Sequence, residues 1–230
     1  MKLRIAEIFH SIQGEGIWAG VPSTFVRVSG CNLRCIWCDT PYASWKPEGP
    51  TMTIDEIVAE VTRENLNHVV LTGGEPMLFD PIIDLTAKLK QLGKTITIET
   101  AGTIYRDLDC DLMSVSPKLA HSTPVGTKNW EQRHEDLRLQ PEILRKLINK
   151  YPYQLKFVVS NGAQNEIEEI EKLLDSIGSV PPDRVLLMPE GRDQATLWEK
   201  AKHLIPIVIE RNWRLAPRLQ IDLFGDTRGT

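Results

Sequence analysis

The 230-residue chain has no apolar run long enough to cross a bilayer, and no apolar leader followed by a small-residue cleavage site. No membrane partner is therefore expected, and the expected compartment is the cytoplasm. Positive charge is not in excess either. The 27 Lys and Arg set against 31 Asp and Glu leave a net charge of -4, which offers nucleic acid no broad basic face. Low-complexity tracts and fixed-period repeats are also lacking, which removes disordered arrays and solenoids. Cysteine is scarce. Of the four present, three crowd together, which favours reduced thiols over a secreted disulfide framework. With 41% hydrophobic residues the chain can bury one large core, and a single domain over residues 1–230 is the simplest organisation.

The crowded cysteines are Cys31, Cys35 and Cys38, spaced C-x3-C-x2-C within Ser29-Gly30-Cys31-Asn32-Leu33-Arg34-Cys35-Ile36-Trp37-Cys38-Asp39-Thr40. Disulfides take thiols in pairs, and a tetrahedral zinc site takes four ligands. Three thiolates suit a [4Fe-4S] cube whose fourth iron is left open to the amine and carboxylate of a small molecule. The alternative is a zinc knuckle completed by His10, His68 or the distant Cys110. Otherwise Cys110 reads as a buried, inert thiol ahead of a strand.

Along the chain, Leu3 to Phe9 alternate as a strand, and residues 10–16 form a polar, glycine-rich loop. A β-branched strand over Ser23 to Ser29 delivers the chain into the cysteines. On it Arg27 lies among apolar neighbours, suited to an acidic partner or to a ligand carboxylate. Thr53 and Glu56 make a capping box for a helix with Ile54, Ile57, Val58 and Val61 on one face. His68 to Thr72 is a buried strand ending in Gly73-Gly74-Glu75-Pro76, where small residues allow close backbone approach and Glu75 offers a carboxylate to an ammonium group. Asp80-Pro81 opens a helix that stops at Gly93.

Strands over Thr95 to Glu99 and Asp111 to Ser116 end in Glu99-Thr100-Ala101-Gly102 and Ser116-Pro117-Lys118, whose hydroxyls and ammonium are further ligand candidates. Residues 120–137 read as an irregular excursion ending in a short helix. Pro141 starts a helix, Gln154 to Val159 a strand, and Asn161-Gly162 turns into an amphipathic helix. Arg184 to Met188 is a strand, Gln194 to Glu210 a helix bent by Pro206, and Leu215 to Phe224 an extended edge. Gln154, Lys156 and Met188-Pro189-Glu190-Gly191 are candidates of the same kind as the other strand ends. About six strand and helix alternations predict parallel strands with right-handed crossovers, too few for a closed eight-stranded barrel. The fold class is α/β, a partial (β/α)6 barrel with its site at the C-terminal ends of the strands.

The cysteine spacing, with aromatic Trp37 just before the last thiol and Gly73-Gly74-Glu75-Pro76 at the next strand end, resembles the radical S-adenosylmethionine (SAM) superfamily. Within it, Ser11 to Gly16, Gly20-x-Pro22, Phe25-Val26-Arg27 and Gly30 to Thr40 closely resemble the 7-carboxy-7-deazaguanine synthases of queuosine and deazapurine biosynthesis, over Ile5 to Lys118. The resemblance implies conversion of 6-carboxy-5,6,7,8-tetrahydropterin to 7-carboxy-7-deazaguanine with release of ammonia. It implies a [4Fe-4S] cluster on Cys31, Cys35 and Cys38, SAM against Trp37, Cys38, Asp39, Gly74, Glu75, Ser116, Pro117 and Lys118, and Mg2+ on Thr40. The pterin substrate would meet Ile12, Gln13, Gly14, Glu15, Arg27 and Thr72. A flavodoxin-type electron donor and a homodimer are implied as partners, with no direct nucleic acid contact. A glycyl-radical activating enzyme shares the cysteine and Gly-Gly-Glu motifs but acts on a protein; Gln13 to Gly16 and Arg27 favour a small carboxylated substrate.

Overall fold

In the computed structural model, which describes residues 1–230, nine strands form one sheet. They are β1 (Lys2–Ile12), β2 (Pro22–Val28), β3 (Thr51–Thr53), β4 (His68–Gly73), β5 (Thr95–Thr100), β6 (Leu112–Val115), β7 (Tyr153–Val159), β8 (Val185–Pro189) and β9 (Arg214–Leu215). Their order is β3-β1-β2-β4-β5-β6-β7-β8-β9. Neighbours from β2 through β9 run parallel, whereas β1 is antiparallel to both β2 and β3. The edges β3 and β9 are not paired with each other, so the sheet is open. Strands β2 and β4 to β8 are the six of the expected partial barrel.

Seven helices follow the strands: α1 (Ile54–Val61), α2 (Ile82–Gln91), α3 (Glu131–Arg138), α4 (Pro141–Lys150), α5 (Gln164–Ile177), α6 (Gln194–Arg211) and α7 (Leu219–Phe224). The capping box at α1 forms as expected, with Thr53 accepting from the Glu56 amide and Glu56 accepting from the Thr53 amide at 2.7 Å. Residues 120–137 begin with a single 3-10 turn at Ala120–Ser122 and end in α3. Three departures stand out. The three-residue β3 has no sequence signal, because its pairing partner is β1, some 50 positions away. Helix α6, expected to be interrupted at Pro206, is continuous from Gln194 to Arg211. Leu215 to Phe224 is no extended edge: β9 ends at Leu215 and α7 follows, its first amide donating to the Gly14 carbonyl at 2.9 Å. A helix this short is held by such tertiary contacts, not by propensity.

Residue alternation on the parallel strands positions the site. Val26 and Val28, Val69 and Leu71, Ile96 and Ile98, Met113 and Val115, and Leu155, Phe157 and Val159 all belong to one apolar core with the inward faces of the helices. The intervening residues Arg27, Thr72, Glu99, Ser114 and Lys156 point to the other side of the sheet, where they line a cavity. Period-two geometry thus gives each strand an oily face and a chemical one. No helix is long and apolar enough to cross a membrane.

Candidate active site

The cavity, about 230 Å³, opens where the parallel strands end and is lined by 30 residues. One wall is the loop that leaves β2. Its Gly30 amide donates to the Ala43 carbonyl at 2.7 Å, Trp45 Nε1 to the Cys35 carbonyl at 3.0 Å, and the Ile36 amide to the Ser122 carbonyl at 2.9 Å. The Arg34 amide donates to His134 Nδ1 at 3.1 Å. These bonds present Cys31, Cys35 and Cys38, all free thiols, to the cavity. The Leu33 amide reaches Cys31 Sγ at 3.3 Å, and Ser44 Oγ lies 3.1 Å from Cys38 Sγ. Burial pushes the Cys31 and Cys35 thiols up to about 12, so cationic metal is the natural counterpart for their thiolates.

The structure tests the two metal readings through their fourth ligand. His68 sits at the N-terminal start of β4, between Ser23 Oγ at 2.7 Å and Thr97 Oγ1 at 2.8 Å. His10 is bonded to Thr24, and Cys110 packs beside the main core. None of the three lines the cavity. No group of three or more His, Cys, Asp or Glu side chains is gathered to hold a single metal ion. A cube bonds each thiolate to a separate iron, so three thiols spread along one wall and open to the cavity on the other side fit it. The wall also carries an orphan donor: the indole N–H of Trp37 is buried without a partner, and its ring stacks on His121 with centroids 5.6 Å apart. A ligand acceptor there would relieve a penalty of about 1–3 kcal/mol.

The floor is polar. Arg27 donates Nε to Glu7 at 2.6 Å, leaving the Nη edge of its fork free for a carboxylate. Thr72 Oγ1 donates to Glu99 Oε2 at 2.8 Å, and Gln13 Nε2 to Glu99 Oε1 at 3.1 Å. Lys118 Nζ is held by the carbonyl and hydroxyl of Ser116 at 2.7 and 2.8 Å. Glu15 forms ion pairs with Lys156 and with Arg218. Burial alone would raise the Glu15 pKa, but these two cations hold it well below the usual carboxylate range.

Of the residues expected to meet cluster, SAM, Mg2+ or pterin, all but Glu75 and Pro117 line this cavity; of the other strand-end candidates Lys156 and Met188 line it, whereas Gly102, Gln154, Pro189, Glu190 and Gly191 do not. Glu75 is fully buried behind it, accepting from Thr100 Oγ1 and the Ala101 amide at 2.8 Å each and from the Met77 amide at 3.0 Å. It ties the end of β4 to the end of β5. Gly74 faces the cavity, yet close packing is what requires a glycine there: a Cβ would meet the Gly30 carbonyl oxygen at 2.1 Å. Sequence reasoning missed Arg218, Gln220 and Thr230, which line the cavity from the segment after β9. Gln220 Nε2 donates to Glu15 at 2.8 Å, and a Cβ on Gly14 would strike the Gln220 side chain at 1.8 Å.

An open parallel sheet with three free thiols on a loop at the mouth of its cavity is the arrangement of a radical SAM protein, and the Radical SAM superfamily profile matches residues 25–133. SuiB of Streptococcus suis, in its crystal structure bound to S-adenosylmethionine, shares this fold at 15% identity and a TM-score of 0.55, covering 80% of this chain and 47% of that one. The crystal structure of QueE from Escherichia coli is nearer, with a TM-score of 0.72 and 27% identity over 94% of this chain and 93% of that chain. A 7-carboxy-7-deazaguanine synthase of Halobacterium salinarum is 45% identical over 99% of this chain and 93% of its own length. One of Rhodopirellula baltica is 42% identical over 100% and 89%. The chain belongs to the 7-carboxy-7-deazaguanine synthase family. Similarity therefore continues well beyond Lys118.

Proposed function

We propose that this chain converts 6-carboxy-5,6,7,8-tetrahydropterin to 7-carboxy-7-deazaguanine with release of ammonia, as a single radical SAM domain over residues 1–230. The observation that carries the reading is one cavity with three free thiols on one wall and the Arg27 fork with Gln13 and Glu15 on the floor. Cys31, Cys35 and Cys38 would hold a [4Fe-4S] cluster; with SAM bound there, one-electron cleavage of SAM to methionine would supply the 5′-deoxyadenosyl radical for hydrogen removal from the substrate.

The protein's own share is binding, orientation and exclusion of water. Trp37, Asp39, Gly74, Ser116 and Lys118 flank the thiols and suit SAM, with Lys118 and Ser116 as donors to its carboxylate. Glu75 and Pro117 would serve it only by shaping the strand ends. Arg27 fixes the substrate carboxylate, its fork aligned by Glu7. Gln13, Gly14, Glu15, Ile12 and Thr72 would enclose the pterin ring, with Glu15 kept ionised as an acceptor for ring N–H groups. The Thr40 hydroxyl is a hard oxygen on the same rim, suited to Mg2+ shared with substrate oxygens. A flavodoxin-type donor, a homodimeric assembly and a cytoplasmic location complete the proposal.

The test is anaerobic reconstitution, counting of iron and sulfide, then incubation with the carboxylated tetrahydropterin, SAM, dithionite and graded Mg2+. The expected outcome is about four irons per chain, deazapurine absorbance that grows with time, and a rate that rises with Mg2+. A metal centre saturated by side chains, or SAM cleavage without deazapurine, refutes the reading.

A further inference from the structure

Arg218 holds three otherwise separate parts of the cavity rim. Its Nε donates to Glu15 Oε1 at 3.0 Å on the loop after β1, one Nη donates to Asp39 Oδ2 at 2.7 Å at the end of the cysteine loop, and the other donates to the Gly191 carbonyl at 2.6 Å after β8. The side chain is 9% exposed, and its guanidinium lines the cavity itself. Glu15 completes its shell with Lys156 and Gln220. Two buried cations and two carboxylates thus alternate in one chain, Lys156–Glu15–Arg218–Asp39, with Asp39 the only half-exposed member. Arg192 reinforces the same junction by donating to the Cys38 carbonyl at 2.6 Å.

We infer that Arg218 is a positioning residue that couples the binding of the two ligands, so that filling the substrate loop tightens the grip on SAM and the reverse. The inference rests on the functional reading above, in which Glu15 serves the pterin and Asp39 serves SAM. A guanidinium is a rigid planar fork, so its donor directions are fixed relative to one another. When a ligand draws Glu15 into its bound position, the fork turns and carries Asp39 with it. A lysine preserves the charge but is a single point, and cannot transmit direction from one carboxylate to the other. Linkage requires the effect to be equal in both directions.

The experiment uses the cluster-loaded protein without reductant, so that no turnover occurs, and titrates SAM with and without saturating 6-carboxypterin, an unreactive aromatic relative of the substrate. In the wild type SAM should bind about fivefold or more tightly when the pterin is present, and the pterin should gain the same factor from SAM. Arg218→Lys should keep its iron content and still bind SAM alone with a measurable dissociation constant, at a lower melting temperature, while the coupling factor falls to about 1. Arg218→Gln should lose the coupling as well, with a lower melting temperature. A purely structural role for Arg218 would lower the melting temperature and leave the factor intact. Because each dissociation constant is independent of the fraction of active chain, partial misfolding does not mask the result. Retention of the wild-type factor in Arg218→Lys, or independent binding of both ligands by the wild type, overturns the inference alone. Failure of the loaded wild type to bind either ligand overturns the functional reading with it.

Discussion

The cysteine loop and the segment from Trp213 to Thr230 face each other across the same cavity, and they are held there by different forces. The loop is fixed largely by neutral main-chain bonds, such as Gly30 to Ala43 and the Glu75 amide to the Gly30 carbonyl at 2.9 Å, and by its fit against Gly74. The later segment is fixed by charge: Arg218 on Glu15 and Asp39, and Arg228 on Glu7 and Glu48 with its guanidinium 3.9 Å from the Tyr42 ring centroid. The wall that presents the three thiols is thus built mainly from neutral bonds, which salt screens little. A rim that must admit and respond to ligands is built from ion pairs, which ligands can redistribute.

The sharpest way to break this contrast is at the thiols themselves. Cys31→Ala should abolish cluster retention and all SAM cleavage, read as iron content and 5′-deoxyadenosine formed; a variant retaining both would remove the basis of the wall. Next comes Glu15→Gln, which leaves Lys156 and Arg218 without their carboxylate. It should cost about 3–5 kcal/mol in chemical denaturation, the scale for removing one partner of a buried ion pair. Gly74→Ala should cost about 1–3 kcal/mol by overpacking and lower iron incorporation, because its Cβ displaces the Gly30 carbonyl.

Acid offers a subtler probe. Burial lowers the pKa of His134 to about 4, and its Nδ1 accepts from the Arg34 amide, so the folded ring is neutral where an unfolded histidine near 6.5 is not. The unfolded chain therefore binds more protons between those values, and stability should fall as the pH drops from about 6.5 toward 4. A melting temperature that rose across that window would contradict the neutral ring. The smallest effect is expected at Arg228→Ala, which removes pairs from a half-exposed guanidinium worth about 1 kcal/mol or less each. Its destabilisation should shrink in 1 M salt, while that of Gly74→Ala should not.

The same contrast explains what the sequence discloses. The three thiols lie close together on one loop, so Cys31, Cys35 and Cys38 announce themselves by spacing. Strand alternation announces Arg27 and Lys156, and the capping box at Thr53 marks α1 to the residue. Arg218 carries no such signature. Its partners lie 203 and 179 positions away, and only the closed course of the chain brings them within reach. The misread helix α7 has the same origin, since the seven residues between Pro217 and Gly225 hold no period long enough to recognise and are made helical by docking onto Gly14. Glu75 was legible as a carboxylate at a strand end. Which side of the strand end it served depended on three donors that arrive from β5 and from its own turn.

The two-faced strands carry a further consequence, for what lengths the chain can tolerate. Inserting one residue in the middle of β5 or β7 would exchange the faces of everything downstream in that strand, driving Glu99 or Lys156 into oil and an isoleucine or phenylalanine into the chamber. Natural variation in size should therefore gather in the connections, above all between β6 and β7, while the count of residues from each strand start to its reactive side chain stays constant across related chains.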